Sequence, residues 1–202
     1  MADEVKIKAE NGDADAQFEM GKRYIAGYKY GINHSEAKKW LVMAKRNGCQ
    51  EKKLDRMIEA CEVAMKAENG DKQAQRDIGK YMADGTLGRN YTKGLEWIIG
   101  DARAGNVTAQ YELGKYYLYQ TGLVFYKGGE ALKWLWKAAE QNHAGAQYEI
   151  GMCYLKGWAV AINFDEAKEW FLKAKRNGCR ESNLDIRIQQ CNKRQSSDCV
   201  IM

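Results

Sequence analysis

The chain has 202 residues, a formal net charge of +5, 29% charged residues and no proline. That length holds one ample core or one short array of small units, and the lack of proline argues against proline-rich docking segments, flexible linkers and separate hinged domains. The charge is too mild for a nucleic-acid footprint, so no nucleic-acid partner is expected, and the balance tilts partner choice toward acidic surfaces.

No apolar stretch is long enough to span a bilayer, and Met1 to Glu10 lack the apolar core of a secretory signal. The expected location is therefore a reducing cytosol, where the six cysteines read as thiols. Cys49 and Cys61, like Cys179 and Cys191, stand too far apart in sequence for the close pairs of a zinc site. No metal or cofactor is expected.

In chain order, the first predicted repeat spans about 8–48. It holds Ala16-Gln17, Gly21, a helix-ending Gly27, the N-cap Asn33 with Glu36, then Ala37, Trp40 and Ala44. Residues 51–68 follow as a spacer helix patterned by Leu54, Ile58, Cys61 and Met65. The second repeat, 67–105, carries Ala74-Gln75, Gly79, a cap at Asn90, Gly94 where the others have alanine, and Trp97. The third, 106–142, carries Ala109-Gln110, Gly114 and Trp134, with Lys127-Gly128-Gly129 where a cap should stand. Three Asn-x-Ser/Thr sequons occur, at Asn33, Asn90 and Asn106; the first two read as caps, and glycosylation is not expected.

The fourth repeat, 143–179, shows the unit most clearly. Ala146, Ile150, Tyr154 and Leu155 form one apolar face, and Gly157 ends the helix. Asn163 caps the next helix with Glu166 as its capping-box partner, and Ala167, Trp170, Phe171 and Ala174 make the inner stripe. Gly151 lies mid-helix, where glycine costs about 1 kcal/mol against alanine. Its recurrence at Gly21, Gly79 and Gly114 implies close approach by a neighbouring helix. A capping helix is expected at 182–194 and a polar tail at 195–202. Ala44 to Cys49 recurs as Ala174 to Cys179, and Glu62 to Asp71 echoes Glu4 to Asp13. Units of this size cannot bury their own apolar faces, so neighbours must stack.

The combined pattern Ala-Gln, Gly, Tyr, Gly, Asn, Lys-Ala, Trp resembles the Sel-1-like repeats, relatives of the tetratricopeptide repeats, over about 8–180. Departures are Met82, with Tyr81 one step early, Gly94 and the uncapped third repeat. The resemblance implies an all-α protein: an α/α superhelical solenoid of four helix-turn-helix repeats with a spacer helix and a capping helix. It also implies an adaptor in protein complexes. Fungal activators of chitin synthase and effectors of bacteria living in eukaryotic cells are two contexts of this kind. Cysteine-rich relatives have been discussed as β-lactam-binding enzymes, but their regular cysteine pairs are missing here.

No catalysis is expected. His34 reads as a surface residue beside a cap and His143 as part of a turn, neither in a nucleophile-base pattern. A repeat-based hydrolase is the rival reading, and it requires a histidine or cysteine beside a carboxylate in a pocket. The expected partner groove takes Phe18 and Lys22, Arg76 and Lys80, Tyr111 and Lys115, Tyr148 and Met152, flanking the motif glycines. These offer apolar anchors and cationic heads to a peptide with acidic groups. Cys199-Val200-Ile201-Met202 matches the signal for a prenyl group on Cys199, farnesyl with a terminal methionine. A prenyltransferase and a cytosol-facing membrane are then further partners. One lipid anchors weakly, so a second signal is sought in Arg187, Lys193 and Arg194, or in palmitoylation of Cys191.

Overall fold

The computed structural model describes residues 3–88, 91–120 and 124–198. Among the described residues all regular structure is helical. In order come α1 (Glu4–Glu10), α2 (Ala14–Ala26), α3 (His34–Arg46), α4 (Leu54–Glu68), α5 (Lys72–Ala83) and α6 (Thr92–Arg103). Then follow α7 (Val107–Lys115), a π-helical turn (Tyr116–Gln120), α8 (Val124–Glu140), α9 (Ala144–Lys156), α10 (Phe164–Arg176) and α11 (Leu184–Asp198). The chain forms two compact units, Met1–Ile98 and Ile99–Met202, with the boundary inside α6.

Short polar residues set the helix starts. Asp13 accepts from Ala16 N at 2.7 Å, Asp71 from Ala74 N at 2.9 Å and Asn106 from Ala109 N at 2.9 Å. Asn33 and Asn163 cap α3 and α10 as their sequence positions suggest. The capping box is incomplete at both. Their own N–H groups donate to Tyr24 O and Tyr154 O at 3.0 and 3.1 Å, which leaves Glu36 and Glu166 no amide to accept from. Gly27 and Gly157 end α2 and α9 in the left-handed region, each with φ 72°, where a side chain would be strained.

The mid-helix glycines have a specific neighbour. A Cβ on Gly21 would lie 2.6 Å from Leu41, one on Gly114 2.7 Å from Leu135, and one on Gly151 2.7 Å from Phe171. Each intruding residue directly follows the motif tryptophan. The recurring glycine and the residue after tryptophan are thus one packing device.

The third repeat departs from expectation. The missing cap at Lys127-Gly128-Gly129 is explained by α8 starting earlier, at Val124, so these residues lie within the helix. Gly128 is needed there because an added Cβ would stand 2.4 Å from the Ala159 Cβ. Asn90 lies outside the described residues.

In unit 1, α4 packs Leu54, Met57 and Cys61 against Ile25, Ala37 and Leu41. In unit 2, α11 packs Leu184 and Cys191 against Tyr148, Met152 and Phe171. Helix α11 runs to Asp198, past the expected end at 194. No glycine or proline interrupts that sequence, so residues 195–198 continue the helix.

Candidate functional site

A cleft of about 410 Å³ opens in unit 1. Phe18, Lys22 and Ile25 of α2, Met57 of α4, Glu51 and Lys53 of the α3–α4 connection, and Gly85, Thr86 and Gly88 after α5 line it. Its wall after α5 is fixed by Asp84, which accepts from Thr86 N at 2.9 Å and pairs with Arg56 of α4. Gly88 sits so close to α2 that a Cβ would approach Ala26 Cα to 3.1 Å. The floor is apolar and the rim carries two lysines and one glutamate. Such a cavity suits one large side chain with a charged neighbour.

Of the predicted groove residues, Phe18 and Lys22 line this cleft. Lys53, Met57, Thr86 and Gly88 also line it, but they lie in the spacer and a loop, outside the repeat positions that carry a periodic signal. Met57 falls on the apolar stripe of α4, a signal that gives burial without direction.

The lysines after the motif glycines have acidic partners. Lys22 meets Glu19 at 2.6 Å, Lys80 meets Glu59 at 3.8 Å and Lys115 meets Glu112 at 3.9 Å. They also lie over Phe18, Tyr81 and Tyr111, at 5.5, 4.5 and 4.9 Å from the ring centroids. Arg76 is exposed and donates to Gln73 at 2.9 Å. These cations are therefore not free heads, and exposed pairs of this kind contribute about 0–1 kcal/mol.

In unit 2, Tyr111 is half-buried with its ring 4.4 Å from that of His143. Tyr148 and Met152 are only 7% and 8% exposed. The expectation that they face a partner is corrected: α11 covers them, and the Tyr148 hydroxyl donates to Asn183 Oδ1 at 2.8 Å. Cys191 is 0% exposed, so it is a packing residue, not an accessible acylation site. Cys199 lies outside the described residues.

His34 is not a surface residue. It is 2% exposed, and its Nδ1 donates to Glu68 Oε1 at 2.9 Å, while the Tyr91 hydroxyl donates to the same oxygen at 3.2 Å. Tyr91 stands edge-on to the imidazole at 4.6 Å. Burial outweighs Glu68 and holds the His34 pKa below the usual histidine range. Sequence reasoning missed the pair because Glu68 lies at the far end of α4. His34 and Glu68 line a shallow pocket of about 290 Å³ together with Ser35, so the condition set for the hydrolase reading, a histidine beside a carboxylate in a pocket, is met. The Cys61 thiol in the same unit does not line this pocket; it is fully buried and its pKa is pushed up to about 12, chiefly by that burial. His143 caps α9, its Nδ1 accepting from Ala146 N at 3.1 Å.

The paired cysteine spacing serves packing. Cys61 and Cys191 are core residues, with Cys49 and Cys179 packed against the same clusters, and all four are free thiols.

Comparison with curated proteins finds no match. Among solved structures, the chain is similar to c5321, a protective antigen of uropathogenic Escherichia coli displaying an SLR fold, at 26% identity and a TM-score of 0.52. That match covers 94% of this chain and 44% of the other, so the chain spans less than half of that relative. A Sel1 repeat protein from Oxalobacter formigenes matches at 25% identity and a TM-score of 0.47, over 87% of this chain and 61% of that one. The Sel1 repeat model matches residues 14–49, 72–99, 107–143 and 144–179. Repeats of this kind are in general protein-interaction modules built as α/α solenoids. The matched segments make up well over half of the sequence, and the chain belongs to the Sel1 repeat family.

Proposed function

We propose that the protein is a non-catalytic adaptor whose unit 1 cleft receives one large apolar side chain of a partner segment, flanked by an acidic group. The observation that carries this is the pairing of an apolar floor, Phe18, Ile25 and Met57, with the Lys22 and Lys53 rim in one cavity of about 410 Å³. Because Lys22 already has Glu19 at 2.6 Å, Lys53 is the better site for the partner's carboxylate. Selection of displayed peptides on the full chain tests this reading. Enriched peptides should share an aromatic or large aliphatic residue beside Asp or Glu, and Met57→Glu or Lys53→Glu should weaken them by tenfold or more. No enrichment, or binding indifferent to both variants, overturns it.

The sequence Cys199-Val200-Ile201-Met202 supports a second element, a farnesyl group on Cys199 that places the adaptor on the cytosolic face of a membrane. It applies to a protein whose last residue is Met202, and it fits an effector using host prenylation or a regulator of a membrane enzyme. Labelling with a farnesyl analogue in eukaryotic cells should mark the chain and spare Cys199→Ser. Equal labelling of both removes the lipid from the proposal.

A further inference from the structure

The acid two residues before the motif glycine recurs in all four repeats, as Glu19, Asp77, Glu112 and Glu149. The lysine that follows the glycine at Lys22, Lys80 and Lys115 is replaced by Met152 in the fourth. Glu149 has therefore lost the cation of its own helix. It is nevertheless 7% exposed, and the Tyr119 hydroxyl donates to its Oε2. Tyr119 belongs to the π-helical turn that ends α7, is itself 41% exposed and stands edge-on to Trp158 at 5.9 Å between centroids.

We infer that Glu149 is a proton-gated latch: its sealed site keeps the π turn closed while the carboxyl carries a proton, and opens when the proton is lost, because the bond from Tyr119 does not offset the burial of the charge. A carboxylate sealed from water is unstable unless paired and hydrogen-bonded. Among the described residues, the surroundings of Glu149 do not meet that need. From α7 it feels Lys115, already shared with Glu112, and Tyr111; from the π turn, Tyr119; and from the segment after α10, the like charge of Glu181. On α9 itself its charge bears on Tyr148 and Cys153, and after α10 on Cys179. Helices α8 and α10 pack on α9 through Leu135, Ala138, Trp170 and Phe171. Desolvation outweighs the help of Tyr119 and Lys115 and raises the Glu149 pKa to about 7. Proton loss near neutrality draws water between α9 and the π turn, and that loosens the exposed Tyr119–Trp158 edge.

Hydrogen–deuterium exchange on the full chain, corrected for intrinsic rates, tests the latch from pH 5 to pH 8.5. Exchange at residues 116–120 should rise by up to about tenfold per pH unit as the pH climbs toward 7 and level off above it, because the open form ionises earlier than the closed one. Glu149→Gln should stay protected throughout, while His143→Asn, which keeps a capping side chain, should retain the wild-type transition. A flat wild-type profile, or an undiminished transition in Glu149→Gln, overturns the latch. Should that variant fail to fold, the side-chain carboxyl of Glu149 in wild-type protein can be followed by carbon NMR. A midpoint near 7 supports the latch, and one below 5 sinks it.

Discussion

Gln147 Nε2 donates to the carbonyl oxygen of Ala139 at 3.2 Å, joining α9 to the last turn of α8. The same bond recurs as Gln17 to Ala9 at 3.0 Å, Gln75 to Ala67 at 3.1 Å and Gln110 to Ala102 at 3.1 Å. In three repeats the glutamine oxygen also accepts from the helix that follows, from Asn47, Gln141 or Asn177 at 2.9 Å. The recurring Ala-Gln pair thus supplies an amide that fastens helix ends, adding a second hydrogen bond to a carbonyl that already accepts a backbone N–H, as Ala139 O does from Asn142 N at 3.0 Å. Replacing Gln147 with leucine should cost about 1–3 kcal/mol, since the Asn177 amide loses its acceptor while the Ala139 carbonyl keeps only Asn142 N. Denaturant midpoints should drop accordingly; an unchanged midpoint would show the amide to be dispensable.

Glycine in a helix interior invites a stabilising alanine, and the structure separates two cases. At Gly151 a Cβ would meet the Phe171 ring at 2.7 Å, whereas at the exposed Gly100 it meets nothing within 4 Å. Gly151→Ala should therefore destabilise by about 1–3 kcal/mol through overpacking. Gly100→Ala should stabilise by about 0.5–1 kcal/mol through helix propensity alone. Thermal unfolding of the two variants should move in opposite directions.

The helical repeats were legible because Ala-Gln, glycine and tryptophan recur in register, and each recurrence proved to be a contact: Gln147 with Ala139, Gly151 with Phe171. Residues joined across long separations were not legible. Nothing local marks Glu68 as the partner of His34 or Thr86 as a wall beside Phe18. Tyr148 and Met152, expected to face a partner, instead pack against Leu184 and Cys191 of α11. Periodicity gives the face of a helix; it does not say whether a neighbour or a ligand covers it.

His34 makes unit 1 sensitive to acid. Its folded pKa is depressed below the usual histidine value of about 6.5, mainly by burial. The unfolded chain then takes up a proton that the folded chain resists. Stability is full above about pH 6.5 and is lost as pH falls from there toward the folded pKa, by up to about 1.4 kcal/mol per pH unit. The neutral ring is also the one that fits, because Nε2 is buried without a hydrogen-bond partner. Phe164 occupies the matching position in the fourth repeat, and His34→Phe should flatten this acid limb in unit 1. If stability between pH 5 and pH 6.5 declines as steeply in the variant, another group is responsible.

Helices α4 and α11 begin as copies: Lys45 pairs with Asp55 at 2.6 Å, and Lys175 with Asp185 at 2.7 Å. They differ along one stripe. Ala60, Ala64 and Ala67 are fully buried in α4, which packs against both α3 and α5. The corresponding residues of α11 are Gln190, Arg194 and Ser197, and Gln190 is exposed on a helix whose main contact is α10. The same helix has been fitted for the middle of a stack in one place and for a solvated face in the other. Ala60→Gln should therefore destabilise unit 1 by about 2–4 kcal/mol, from overpacking and a buried amide. The reverse change, Gln190→Ala, should leave stability within about 0.5 kcal/mol, as for other surface sites. Equal effects from the two would mean that this stripe does not distinguish the helices.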